Sequence, residues 1–230
     1  MFITSPGNKF IKNTEAMQMN IQARSDYQRT REMTLDEMLL DNRILFMIGE
    51  INYVMATQVI MKLLHLDNSK PGSEISMYIN SPGGSVDDTM AIYDTMRFIN
   101  SPVATYCIGR AQSGAAVILA SGKKGKRHAL PHAKIMLHQP WGGVTGQASD
   151  IKIQAEEIIK ARALINELLS KHSGQPIEKI AAETDRDHYM TADEACAYGL
   201  IDEVLHEDDK KPKIKDVSID NDKNNDNDKK

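Results

Sequence analysis

Glu74-Ile-Ser-Met-Tyr-Ile-Asn-Ser-Pro-Gly-Gly-Ser85 begins as a short apolar run of strand length, breaks at Pro82-Gly83-Gly84, and leads into a helical pattern over residues 87–99. A strand that turns through glycine straight into a helix is the repeating unit of a parallel sheet with crossover helices. The same alternation extends outward on both sides. Residues 43–48 (RILFMI), 103–108 (VATYCI) and 134–138 (KIMLH) have strand length and composition, and residues 54–66 and 113–120 suit helices. The spacing therefore predicts an α/β fold. A longer helix is expected over 149–171, with Ser149 as N-cap, Glu156 and Lys160 paired at i, i+4, and a stop near Ser173-Gly174. Its apolar residues Ile151, Ala155, Ile158, Ile165 and Leu169 spread around the wheel, which marks it as a subunit interface.

The chain has 230 residues, 41% hydrophobic and 26% charged, which is the composition of a soluble globular protein with one sizeable domain. The domain is expected over 34–205. Residues 1–33 are polar with scattered apolar positions. The segment 206–230 holds only Ile214, Val217 and Ile219 as apolar residues among eight acidic residues and seven lysines, and reads as a disordered charged tail. The net charge of −4 offers no basic field for nucleic acid or an anionic membrane. The longest apolar run, 115–120, is far below the ~18 residues that span a bilayer. Two cysteines, Cys107 and Cys196, are too few for a disulfide framework or a thiolate zinc site and fit a reducing compartment. The N-terminus lacks the apolar stretch of a secretory signal, so the protein is expected in the cytoplasm, or in an organelle matrix or stroma in a eukaryote.

Three places carry candidate chemistry. The glycines of Asn80-Ser81-Pro82-Gly83-Gly84-Ser85 can present backbone N–H groups to an anion, as an oxyanion hole does, or simply supply the φ > 0 that a tight turn needs. Ser113, in Gly109-Arg110-Ala111-Gln112-Ser113-Gly114, sits between a strand and a helix, where it is either a nucleophile beside a positive helix end or an ordinary N-cap. The G-x-S-x-G elbow is absent. His138 ends a strand of a parallel sheet, where ligand sites form; the alternative is a hydrogen-bonded structural histidine. Histidines 65, 128, 132, 172, 188 and 206 lack an equal setting, and Asp185-Arg186-Asp187 reads alone as a solvated face. No His, Cys or carboxylate pattern has metal-ligand spacing, so neither a metal nor another cofactor is expected.

Taken together, YINSPGGS, IYDTM, the Ser113 segment, SGKKGKRHALPHAKIMLHQPWGG, the long helix and DRDHYMTADEACAYGLID resemble the proteolytic subunit of Clp proteases, the ClpP family, over residues 39–204. The resemblance implies a crotonase-like α/β fold of repeated β-β-α and βαβ units, with a protruding handle formed by the long helix and a Gly142-Gly143 strand. It places the family's serine, histidine and aspartate on Ser113, His138 and Asp187, and its oxyanion donors on Gly84 and Gly114. It implies two stacked seven-membered rings, a tetradecamer of this chain fed by a hexameric Clp ATPase, that hydrolyse unfolded proteins and peptides. Tyr78 and Phe98 match ATPase-docking positions, and Arg186 lies near the ring junction. Residues 1–33 would then hold a propeptide and axial segment. The chain departs from the family in two places: Gly114 replaces a usual methionine, and residues 18–38 do not match the usual axial loop.

Three functions compete at this point. The first is an ATP-dependent serine endopeptidase subunit. The second is a crotonase-like acyl-CoA hydratase or isomerase, which leaves Ser113, His138 and Asp187 without a joint task. The third is a non-catalytic ring subunit of a mixed complex.

Overall fold

The structure, a computed structural model, describes residues 33–140, 142, 143 and 145–207. The expected propeptide and most of the expected charged tail lie outside the described residues. Residues 33–42 hold one helix, α1 (Leu35–Asp41), closed by a capping box: the Thr34 hydroxyl accepts from the Glu37 N–H at 3.3 Å, and the Glu37 carboxylate accepts from the Thr34 N–H at 2.8 Å.

From Arg43 the expected alternation follows: β1 (Ile44–Ile48), α2 (Tyr53–Ser69), β2 (Ile75–Ser81), α3 (Val86–Phe98), β3 (Val103–Gln112) and α4 (Gly114–Ala120). The second half is more mixed, with β4 (Arg127–Ala129), β5 (Lys134–Leu137), α5 (Ala148–Ser173), α6 (Ile177–Glu183), β6 (His188–Thr191), α7 (Ala192–Tyr198) and β7 (Glu203–Val204). Strands β1-β2-β3-β4-β7 pair in that order and all run parallel. The parallel sheet expected from the alternation carries one antiparallel pair at an edge, where β6 runs against β5.

Alternation in β2 sends Ile75, Met77 and Ile79 into the core and Tyr78 to the opposite face. There Tyr78 stacks between Phe46 and Tyr106, and Tyr106 on His128, in a row crossing four parallel strands in register. Every residue of α4 is buried. Seven residues are well short of the ~12–15 an isolated helix needs, so packing of Val117, Ile118 and Leu119 holds α4 in place rather than propensity.

Two polar anchors tie the later elements down. Arg127 is buried, 1% exposed, and its guanidinium donates to both Asp202 carboxylate oxygens, at 2.9 and 2.6 Å. Burial raises the Asp202 carboxyl, but the Arg127 hydrogen bonds and charge outweigh it and hold it down at about 2. His172, near the end of α5, lies with Nε2 3.0 Å from the Tyr93 hydroxyl on α3. Burial, reinforced by Arg97, Lys171 and Arg127, lowers its ring to about 4, so it is neutral at pH 7.

Helix α5 ends as expected at Gly174, with φ at 80°. Its start is different: Gln147 is the cap residue, and Ser149 lies inside the first turn without capping it. Residues 148–157 are all exposed, consistent with a projecting helix. Among the described residues no segment of this chain pairs with Gly142 and Gly143.

Candidate active site

β3 is long enough to serve two neighbours: residues 105–107 pair with β4, and residues 110–112 pair with β5. This fork brings three chain positions together by register alone. Gln112 lies opposite Met136, so Ser113, the next residue, falls beside the end of β5. Leu137 lies opposite His188 in the antiparallel pair, so His138 and Asp187 face each other one step further on.

The side chains complete what the register begins. Ser113 Oγ is 2.9 Å from His138 Nε2, and His138 Nδ1 is 3.1 Å from Asp187 Oδ1. An ionised carboxylate only accepts, so Nδ1 carries the ring proton and donates to Asp187. Nε2 is left to accept from the serine hydroxyl. Ser113 is the N-cap residue of α4, yet its side chain makes no capping bond. Its hydroxyl is given to His138 instead, which disposes of the ordinary N-cap reading. Ser113 also has φ 53° and ψ −125°, a region sparsely used by side-chain-bearing residues and costing of order 1–3 kcal/mol. The strained strand-to-helix turn is present without the G-x-S-x-G pattern. Its N–H donates to Met136 O at 2.8 Å, and Gly83 packs directly against it, since a Cβ at position 83 would lie 2.7 Å from Ser113 Cβ.

The turn and anion readings of the glycine stretch are compatible. Gly83 has φ 88°, the conformation the turn needs. Gly84 lies so close to Ile51 that a Cβ there would meet the Ile51 carbonyl oxygen at 2.1 Å. The bridge to Ile51 uses the Gly83 carbonyl and the Ser85 N–H rather than the Gly84 N–H. Gly114 opens α4, where a first-turn N–H has no partner within the helix. Both glycines line one cleft with Ser113 and His138.

Sequence reasoning missed the residues that hold this arrangement. The Gln139 N–H donates to Thr184 O at 2.7 Å, and its side-chain amide donates to Asp185 O at 2.9 Å. The buried Thr184 hydroxyl donates to Ile180 O at 2.8 Å and lies 3.3 Å from Asn166 Oδ1 on α5. The loop that carries Asp187 is thus clamped to the end of β5 and to the long helix. The only signal for Gln139 was its place beside His138; Thr184 and Asn166 gave none.

The remaining expected residues lie elsewhere. Tyr78 belongs to the aromatic row, and Phe98 stands 82% exposed at the end of α3; no contact between them is found among the described residues. The Arg186 side chain is 93% exposed, its Nε 4.0 Å from Asp185. Among the described residues no group of three His, Cys, Asp or Glu side chains is arranged to hold a metal ion, and no helix is long and apolar enough to cross a membrane.

The family model described as Clp protease matches residues 27–208. The chain belongs to the Clp protease family. The ATP-dependent Clp protease proteolytic subunit 1 of Rhodopirellula baltica is 53% identical over 186 residues, covering 81% of this chain and 82% of that protein. The Clp protease match runs through every strand of the fork and through Ser113, His138 and Asp187 alike.

Proposed function

We propose that this chain is the proteolytic subunit of an ATP-dependent Clp protease, a serine endopeptidase acting on unfolded proteins and peptides. The observation that carries this reading is the unbroken series of hydrogen bonds from Ser113 through His138 to Asp187, built on a serine whose hydroxyl is withheld from capping. His138 Nε2 takes the hydroxyl proton as Ser113 Oγ attacks the scissile carbonyl carbon. The carbonyl oxygen becomes an oxyanion between the N–H groups of Gly84 and Gly114, near the positive end of α4. Asp187 keeps the ring in the tautomer with Nδ1 protonated and stabilises the imidazolium. His138 then gives its proton to the leaving amine as the C–N bond breaks. Water, deprotonated by His138, hydrolyses the acyl-Ser113 ester and restores the hydroxyl. A crotonase-like acyl-CoA reaction gives these three bonded side chains no task.

The protein self-associates and works with an ATPase, a reading supported by its membership of the Clp protease family and its likeness to an ATP-dependent Clp protease proteolytic subunit. The finer assembly is part of the same proposal: two heptameric rings of this chain, a hexameric Clp ATPase docking on Tyr78 and Phe98, α5 joining the rings with Arg186 near the junction, and a cytoplasmic location. The proposed division is a peptidase domain over 34–205, an N-terminal propeptide and axial segment over 1–33, and a charged tail over 206–230.

A fluorophosphonate probe tests the central claim. Mass spectrometry is expected to find it on Ser113 of the wild type and nowhere on Ser113→Ala, and Ser113→Ala is expected to cleave no fluorogenic peptide. Equal cleavage rates for the two proteins overturn the assignment.

A further inference from the structure

Gly114 has no room for a side chain. A Cβ built on it would lie 2.4 Å from Thr89 Oγ1, 3.1 Å from Thr89 Cγ2 and 3.3 Å from Thr89 Cβ, all on the neighbouring helix α3. Thr89 cannot swing aside to make room. It is 1% exposed, its hydroxyl donates to Ser85 O at 2.7 Å, and its branched Cβ restricts the choice of rotamer. Thr89 also lines the cleft that holds Ser113 and His138, together with Val117, Leu137 and Ile165.

We propose that Thr89, reaching across from α3 into the place a side chain at position 114 would take, sets the size of the substrate pocket beside Ser113 and limits it to small aliphatic side chains. This rests on the reading of Ser113 as the nucleophile. With the scissile carbonyl carbon at Ser113 Oγ and its oxygen towards the N–H groups of Gly84 and Gly114, the side chain of the residue bearing that carbonyl enters the space these groups border. The cleft encloses about 70 Å³, less than half of the ~150 Å³ cavity that accepts a benzene ring. It admits a few methyl-sized groups and rejects a phenyl ring. Its lining includes no Asp, Glu, Lys or Arg, so a charged side chain entering it has no counter-ion.

The test uses the full-length protein and two fluorogenic peptides that differ only in having Ala or Phe before the scissile bond. The wild type is expected to favour Ala, and Thr89→Gly to raise the Phe-to-Ala ratio of kcat/KM at least tenfold. Thr89→Ser, which keeps the hydroxyl bond and loses only the methyl, is expected to raise it by a smaller amount and decides the matter if the glycine variant does not fold. Gly114→Ala alone is expected to slow fluorophosphonate labelling of Ser113 at least tenfold. Adding Thr89→Gly to it is expected to restore labelling to within threefold of Thr89→Gly alone. If Ser113 of the wild type is labelled but the Phe-to-Ala ratio of a folded Thr89 variant stays within twofold of wild type, the inference is overturned and the proteolytic reading stands. If the wild type neither takes the label nor cleaves either peptide, the reading of Ser113 falls and the inference with it.

Discussion

Replacing Gly83 by alanine isolates the contact that holds Ser113 in its strained conformation. The new Cβ would stand 2.6 Å from the Gln112 carbonyl oxygen, 2.7 Å from Ser113 Cβ and 3.0 Å from the Gly114 nitrogen. Two of these three atoms are backbone, and the third is a Cβ fixed to it, so no rotamer change relieves the overlap. Ordinary contact begins near 3.4 Å, so Ser113 and the start of α4 must retreat by about 0.7 Å. A displacement approaching 1 Å at a reacting atom costs about a hundredfold in rate, or roughly 2.7 kcal/mol of barrier. The alanine also has to adopt φ near +88°, which costs about 1–2 kcal/mol of stability by itself. Gly72 separates the two effects, having φ +76° and nothing within 4 Å of a built Cβ. Both variants are expected to melt a few degrees below wild type, but only Gly83→Ala is expected to lose about a hundredfold in peptide kcat/KM and in fluorophosphonate labelling rate. If folded Gly83→Ala keeps activity within threefold of Gly72→Ala, the close approach of the two turns does not hold Ser113 in place and the reasoning fails.

Acid is expected to destabilise the fold in two stages. His172 is held near 4, below its ordinary value, so its share of stability is complete above pH 6.5 and is lost as pH falls towards 4; His172→Gln should flatten the melting temperature across that window. Asp202 is held at about 2, so its share, about 2 kcal/mol, is present above pH 3.8 and lost as pH falls towards 2. At neutral pH, Asp202→Ala leaves the buried Arg127 charge unpaired and should cost about 3–5 kcal/mol, read from urea unfolding. Native mass spectrometry is expected to show assemblies in multiples of seven chains, and Ile158→Asp on α5 to weaken the pairing of rings. Truncation after Glu207 is expected to leave small-peptide turnover within about twofold of wild type, and a tenfold loss would assign the tail a part in gating or structure.

The first half of the fold was legible because each of its strands is a complete apolar run closed by a turn or a helix start. Residues 44–48, 75–81 and 103–112 each carry enough buried side chains to declare themselves. β4, β6 and β7 are two to four residues long, too short to show a period, and they exist because each finds an edge to pair with, β4 on β3, β6 on β5 and β7 on β4. The antiparallel turn of β6 was hidden for the same reason. The site was legible in its residue types but not in its geometry. Asp187 lies in an Asp-Arg-Asp run that looks like any solvated face, and only the register of β5 against β6 brings it opposite His138. Ser113 carried the opposite ambiguity, being well placed for a cap, and its withheld hydroxyl became visible only with the positive φ that aims it at His138. What no sequence pattern could reveal is a pair such as Gly114 and Thr89, 25 residues apart, in which one residue is glycine because the other fills its space. Such a pair leaves no period, motif or charge in the sequence, and only the packing of α3 against the start of α4 makes it apparent.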